Sequence, residues 1–143
     1  MSDLGEEFSI LIGETARRWR QRLDERLRPM GLSQAKWRAL LHLSLNKGIS
    51  QRALSEKLSI EGPTLVRLLD RLSKDGYVER RDAADDRRCK QVHLTRKSQR
   101  IIREIHEVVT QLRHELLSDI SEKELRASAA LLRKIRQKLG GSD

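Results

Sequence analysis

Residues 62–95 read GPTLVRLLDRLSKDGYVERRDAADDRRCKQVHLT. The hydrophobic period changes inside this stretch, and the change decides the fold. Leu65, Leu68, Leu69 and Leu72 recur at the three- and four-residue spacing of a buried helix stripe, and Gly76 stops the helix. Pro63 stands in the first turn, where a helix tolerates proline. From Tyr77 the pattern alternates, and YVERR and QVHLT read as strands. Between them lies a charged segment: three aspartates and three cations fall within the nine residues from Asp82 to Lys90. The stretch therefore predicts a helix followed by a β-hairpin with a charged loop.

Upstream, SQRALSEKLS predicts a short helix capped by Ser50, with Leu54 and Leu58 on one face. IEGPT breaks the chain between it and the Leu65 helix. Before it, SQAKWRALLHLSLN predicts a helix capped by Ser33, with Trp37, Leu40, Leu41 and Leu45 facing a core and Asn46 and Gly48 closing it. The first helix carries Phe8, Leu11, Ile12, Trp19, Leu23 and Leu27, and Pro29 and Gly31 end it. Downstream, Thr95 is positioned to cap a long fifth helix lined by Ile101, Ile102, Ile105, Val108, Val109, Leu112 and Leu116. Ser121 and Glu124 form a capping box opening a sixth, with Leu125, Ala129, Leu132, Ile135 and Leu139.

The expected fold class is mainly α (α+β): a winged helix-turn-helix between long N- and C-terminal helices. A chain of 143 residues supports one domain and one core. Within it, residues 33–98 form the winged lobe, and residues 5–29 and 99–140 a helical region. The stripes on the long helices exceed what such a chain buries alone, so the terminal helices are expected to form a homodimer interface.

The net charge is +9 and the isoelectric point about 10.3. Such a balance points to a polyanionic partner rather than merely to solubility. A single cysteine, Cys89, permits no internal disulfide and implies a reducing, cytoplasmic setting. The start MSDLGEEFSILIGETARRWRQR is not a signal peptide, and no run approaches the ~18 apolar residues of a membrane span. His42, His93, His106 and His114 show no metal-ligand spacing with Cys89; His106 and His114 read as polar-face residues. No phosphate loop or nucleophile arrangement is present in the pattern, so neither a cofactor nor an enzyme is expected.

With the leucines of the fourth helix inward, Thr64, Arg67 and Arg71 fall on the opposite side. The second helix of a helix-turn-helix enters the major groove with its N-terminal residues at base edges. Pro63 and Thr64 sit at that start, and Arg67 offers a two-donor fork to guanine or a phosphate contact. Ser50 and Gln51, opening the preceding helix, complete the candidate set on this lobe. The alternative is a solvated face with Asp70 pairing locally to Arg67 and Arg71. On the hairpin, Arg80 to Arg100 holds eight Lys or Arg against three Asp. An arginine at such a tip reaches a narrow minor groove. Asp86 is expected to hold the Arg88 stem, with Arg87 and Lys90 on phosphates; the alternative is mutual neutralisation on the loop. Cys89 is either a strand-edge residue without a role or, with its pKa lowered by its arginine neighbours, a redox switch. A basic architectural or RNA-binding protein is a further alternative.

The segments GLSQAKWRALLHL, SQRALSEKLSIEGPTLVRLLDRLSKDGYVERR and DDRRCKQVHLTRKS together resemble the MarR family of bacterial transcription regulators, and most of all its SlyA-like branch. The resemblance implies a triangular homodimer on a palindromic operator, with recognition helices in successive major grooves roughly 34 Å apart. It places residues matching Pro63, Thr64 and Arg67 in the major groove and those matching Asp86 and Arg88 at the minor groove. It also implies repression relieved by a small aromatic carboxylate bound between the dimer helices and the DNA-binding lobe. Arg17, Trp19 and Arg20 of the first helix and Trp37 of the second are the candidates here; alternatively the tryptophans are core and the arginines surface. The family's peroxide-sensing branch keeps its reactive cysteine in the first helix, where this chain has none.

Overall fold

The computed structural model describes residues 3–84 and 86–140, the side chains of Asp86 and Arg87 excepted. Among these, the elements run α1 (Leu4–Leu27), α2 (Gln34–Leu45), α3 (Gln51–Leu58), α4 (Gly62–Lys74), β1 (Val78–Ala83), β2 (Asp86–Leu94), α5 (Gln99–Leu117) and α6 (Glu122–Lys138). This is the expected mainly helical chain with a two-stranded antiparallel wing. The chain divides into two compact units at Val109/Thr110.

In the first unit, local signals start and stop the elements where the residue types require. The Ser33 hydroxyl accepts from the Lys36 N–H, and Ser50 from Ala53. Each satisfies one of the orphan donors of a helix start. Gly31 and Gly76 adopt φ of 78° and 83°, which a side chain resists, and they turn the chain out of the preceding helices. Leu65, Leu68, Leu69 and Leu72 are all buried, as are Leu54 and Leu58. Trp37, Ala39, Leu40 and Leu43 of α2 complete the centre of the lobe.

Several expectations are corrected. Leu45 is 66% exposed, and Leu43 takes its place in the core. At 100° per residue, Leu45 lies one step further round the helix than the half-buried Leu41, away from the Trp37–Leu40–Leu43 arc. The segment from Asp82 to Lys90 is not chiefly loop: β1 runs to Ala83 and β2 begins at Asp86. Asp82 faces Lys90 across the ladder and pairs with it. An exposed ribbon needs no apolar alternation when opposite charges face each other across it. Thr95 does not cap α5. A 3-10 turn, Arg96–Ser98, intervenes, and the Thr95 hydroxyl donates to the Gly76 carbonyl at 2.5 Å. That bond, with Thr95 N–H to Tyr77 carbonyl at 3.0 Å, locks the wing's return strand to the end of α4.

His106 is half-buried rather than on a polar face: its Nε2 lies 2.9 Å from the Ser44 hydroxyl. Ser44 itself donates to the Leu41 carbonyl at 2.6 Å, so the imidazole N–H is the donor in the pair.

α1 buries Leu23 and Leu27 only, leaving Leu4, Phe8, Ile10, Leu11 and Ile12 between 36% and 77% exposed. The second unit, from Thr110, holds the end of α5 and all of α6. Its capping box is present: Ser121 accepts from the Glu124 N–H at 3.1 Å, and Glu124 accepts from the Ser121 N–H at 3.4 Å. No residue of α6 is buried, and Leu131 and Leu132 are about half exposed.

Candidate nucleic-acid interface

α4 presents Pro63, Thr64, Val66, Arg67, Asp70 and Arg71 to solvent, opposite its leucines. Pro63 occupies the first turn, where its missing N–H costs nothing. Arg67 Nη2 reaches the Thr64 hydroxyl at 3.5 Å, a long contact that leaves the guanidinium available. Gln51 is half-buried at the start of α3, and Ser50 is committed as that helix's cap while its hydroxyl proton stays available to an acceptor.

Asp70 does not neutralise Arg67 or Arg71. It takes Arg80 of β1 at 2.6 Å, a tie between α4 and the wing. A second tie joins the α2–α3 connection, just before α3, to the wing: Val92 N–H donates to the Ile49 carbonyl at 2.9 Å, beside a Ser50–Gln91 bridge. Sequence reasoning missed both. The Gly76 turn signals that the first residues of β1 return near the last turns of α4, but it does not select Arg80 as the partner of Asp70. The third joint is the Lys36–Asp75 pair at 2.8 Å, with Lys97 donating to the Asp75 carbonyl at 2.8 Å and lying over the Tyr77 ring at 5.7 Å. The wing base is thus held by α2, the α2–α3 connection and α4, so a side chain on the ribbon has a defined position relative to α4.

On the ribbon, Arg88, Cys89 and Lys90 are exposed. Lys90 is engaged by Asp82, one of the aspartates suspected of neutralising the cluster. The expected Asp86–Arg88 arrangement and the Arg87 contact fall on side chains outside the described residues.

The tryptophan candidates meet in a groove of about 260 Å³, lined by Trp19, Arg20 and Leu23 of α1 and by Trp37, Arg38, Leu41 and His42 of α2. Arg17 does not join them; it faces a separate shallow surface with Arg18, Gln21 and Arg22. At about 100° per residue, Arg17 lies roughly 160° round α1 from Trp19 and roughly 120° from Leu23, which turns it out of the groove. Trp37 is buried, and its Nε1–H donates to Asp24 at 3.1 Å. The Arg28 guanidinium, then the indole N–H, hold the Asp24 carboxyl below its ordinary pKa. Arg38 and His42 were overlooked, although their i, i+4 spacing sets them beside the Trp37/Leu41 pair. Burial, and then the charges of Arg38, Lys57 and Arg20, push the His42 pKa down. Burial and Arg20 likewise lower that of Arg38. The groove is a positive enclave with aromatic walls.

A helix-turn-helix whose second helix exposes Thr64, Arg67 and Arg71, with a basic wing tied rigidly to it, has the geometry of a DNA-reading lobe. Comparisons with known proteins agree. A sequence profile described as the MarR family matches residues 30–88. A transcriptional regulator named PA3341 is 40% identical, with 93% of this chain and 98% of that one covered and a TM-score of 0.88. A cysteine-to-serine variant of MarR from E. coli, complexed with operator DNA, is 30% identical over 94% of this chain and 99% of that one, with a TM-score of 0.74. The chain belongs to the MarR family. The family consists of transcription regulators rather than enzymes. S. aureus MepR in its DNA-binding conformation shares the fold at a TM-score of 0.83 and 24% identity, covering 92% and 98% of the two chains. Among the described residues of this MarR-family chain, no helix is long and apolar enough to cross a membrane.

Proposed function

We propose that this MarR-family chain is a sequence-specific regulator that binds a palindromic operator as a homodimer. The observation that carries the reading is the exposed Thr64–Arg67–Arg71 face of α4, held to the basic wing by the Asp70–Arg80 pair. In this reading Pro63, Thr64 and Arg67 meet the major groove and Arg71 a phosphate. Ser50 and Gln51 meet the backbone at the start of α3. Asp86 and Arg88 form the minor-groove tip, with Arg87 and Lys90 on phosphates. Lys90 then exchanges Asp82 for DNA, at small cost for an exposed pair. Residues 33–98 act as the DNA-binding lobe and residues 5–29 and 99–140 as the dimerisation region, the exposed stripes of α1 and α6 covering each other's counterparts. The SlyA-like branch is the subgroup that the quoted segments resemble. The protein represses by occupying its site and is released by a small aromatic acid. The Trp19–Trp37 groove supplies an indole wall, the Arg20 and Arg38 charges, and the His42 imidazole as a hydrogen-bonding partner for a carboxylate.

Selection of bound duplexes from a random pool tests this. The expected outcome is a palindrome with half-sites about one helical turn apart, preferred over random duplex by roughly 10³-fold or more at moderate salt. Equal retention of all sequences would instead make the chain an architectural binder. The redox alternative stands or falls separately: oxidant must weaken operator binding in the wild type and not in Cys89→Ser.

A further inference from the structure

Beyond the ring of Pro63, the solvent face of α4 carries one apolar side chain. Val66 is 39% exposed, and among the described residues from Gln51 to Leu94 no other large aliphatic side chain is exposed. A lone exposed valine is ordinary on a protein surface; the space beside this one is what matters. At about 100° per residue, Val66 stands roughly 40° round the helix from Gly62 and roughly 60° from Pro63, one turn further along α4. Helical side chains lean toward the start of their helix, so the Val66 methyls tilt over the Gly62–Pro63 turn. Gly62 is not among the positive-φ glycines, which are Gly31, Gly48, Gly76 and Gly140. Beyond its chain neighbours and the helix backbone, a Cβ on Gly62 would meet nothing within 4 Å. Neither backbone conformation nor internal packing therefore calls for glycine there. What the glycine supplies is an open notch beside Val66 and Pro63, the kind of space that lets another molecule come close to a backbone.

We propose that Val66, with the notch left by Gly62, receives the C5-methyl group of a thymine in each half-site. The proposal rests on the DNA-binding reading and adds to Arg67 a second base-reading position, apolar rather than hydrogen-bonding. The occupant follows from what surrounds the notch. Thr64, Arg67 and Arg71 line the other flank of the same exposed face, and Asp70, one turn beyond Val66, is taken by Arg80 of the wing. Whatever covers this face must present negative charge and acceptors together with a small apolar group. The major groove of DNA does so: phosphates edge it, purine N7 and O6 atoms accept, and the thymine methyl is the apolar group among its base edges. Cytosine, adenine and guanine offer no methyl there, so burial of this one group discriminates by about fourfold per half-site.

The test uses the full-length protein and the palindrome selected from random duplexes, with each thymine in turn replaced by deoxyuridine. The exchange removes the C5-methyl and leaves the pairing edge unchanged. At one thymine per half-site it should weaken wild-type binding about fourfold, and roughly 15-fold when both half-sites carry it. Val66→Ala should bind the thymine operator more weakly and no longer distinguish thymine from deoxyuridine at that position. Gly62→Ala puts a methyl into the notch and should prefer deoxyuridine there to thymine. Circular dichroism melts establish that both variants fold. A wild type indifferent to deoxyuridine at every position would overturn the proposal. A deoxyuridine penalty that persists in Val66→Ala would do so too, because another side chain would then hold the methyl. Full thymine preference in Gly62→Ala would overturn it as well, since the notch would not be the receiving space. Equal retention of all duplexes in the selection would overturn the DNA reading and this proposal with it, whereas a clear palindrome without the deoxyuridine effect overturns this proposal alone.

Discussion

α4 and α6 carry the same kind of apolar stripe and have opposite fates. In α4, Leu65, Leu68, Leu69 and Leu72 are all 1% exposed or less. In α6, Leu125 and Ile135 are half-buried and Leu132 is 49% exposed. The two helices run 13 and 17 residues, both long enough to have been packed. A periodic stripe states that a surface will be covered and leaves open by what. For α4 the cover is the rest of its own lobe. For α6, and for Phe8, Leu11 and Ile12 of α1, we attribute the cover to a second copy.

The sharpest way to break this contrast is to cut one leucine from each helix. Leu68→Ala should lower unfolding stability by about 2–5 kcal/mol, because it leaves a cavity in a closed core. Leu132→Ala should leave the unfolding of a single chain nearly unchanged. Urea denaturation at concentrations where the protein is monomeric compares the two; equal losses would refute the contrast.

The next effect is on association. A symmetric interface counts each change twice, and burial of one leucine is worth about 1.5–3 kcal/mol. Leu132→Glu should therefore raise the dimer dissociation constant at least ~100-fold, read by sedimentation equilibrium. A dimer of wild-type affinity would move the interface elsewhere.

Within the lobe the contrast is between residues that read and residues that hold. Arg67→Ala should cost about 1–3 kcal/mol of operator binding and relax preference at one position per half-site. A uniform loss across sequences would make Arg67 a phosphate contact. Asp70→Asn removes only an exposed tie to Arg80, worth about 0.2–1 kcal/mol of stability. Its signature is a few-fold loss of operator affinity with base preference intact, measured by competition binding.

The smallest effect is in pH. The folded pKa of His42 lies below its ordinary value of 6.5. The unfolded chain therefore binds the extra proton first, and stability falls as pH drops through 6.5. His42→Gln should flatten that part of the melting-temperature profile. A carboxylate entering the Trp19–Trp37 groove should raise the His42 pKa, so that proton uptake accompanies binding in calorimetry across buffers.

Much of the fold was legible because its signals are local. Ser33, Ser50 and the Ser121–Glu124 box act within one turn, and the four leucines of α4 mark their own buried face. The Asp82–Lys90 segment was misread because exposed strands lack the apolar alternation that identifies covered ones. Thr95 was misassigned because a hydroxyl before a helix chooses between the helix N–H groups and any carbonyl the fold brings nearer, here that of Gly76.

The order of elements, the winged lobe, the inward face of α4 and the exposed Thr64–Arg67–Arg71 row were determined by the sequence alone, since period, caps and glycines act over a few residues. Only the tertiary structure decided that Asp70 holds Arg80 and that Arg17 leaves the tryptophan groove while Arg38 and His42 enter it. Those pairings join residues from different elements, and charge partners are chosen by distance in space, which spacing along a chain does not encode.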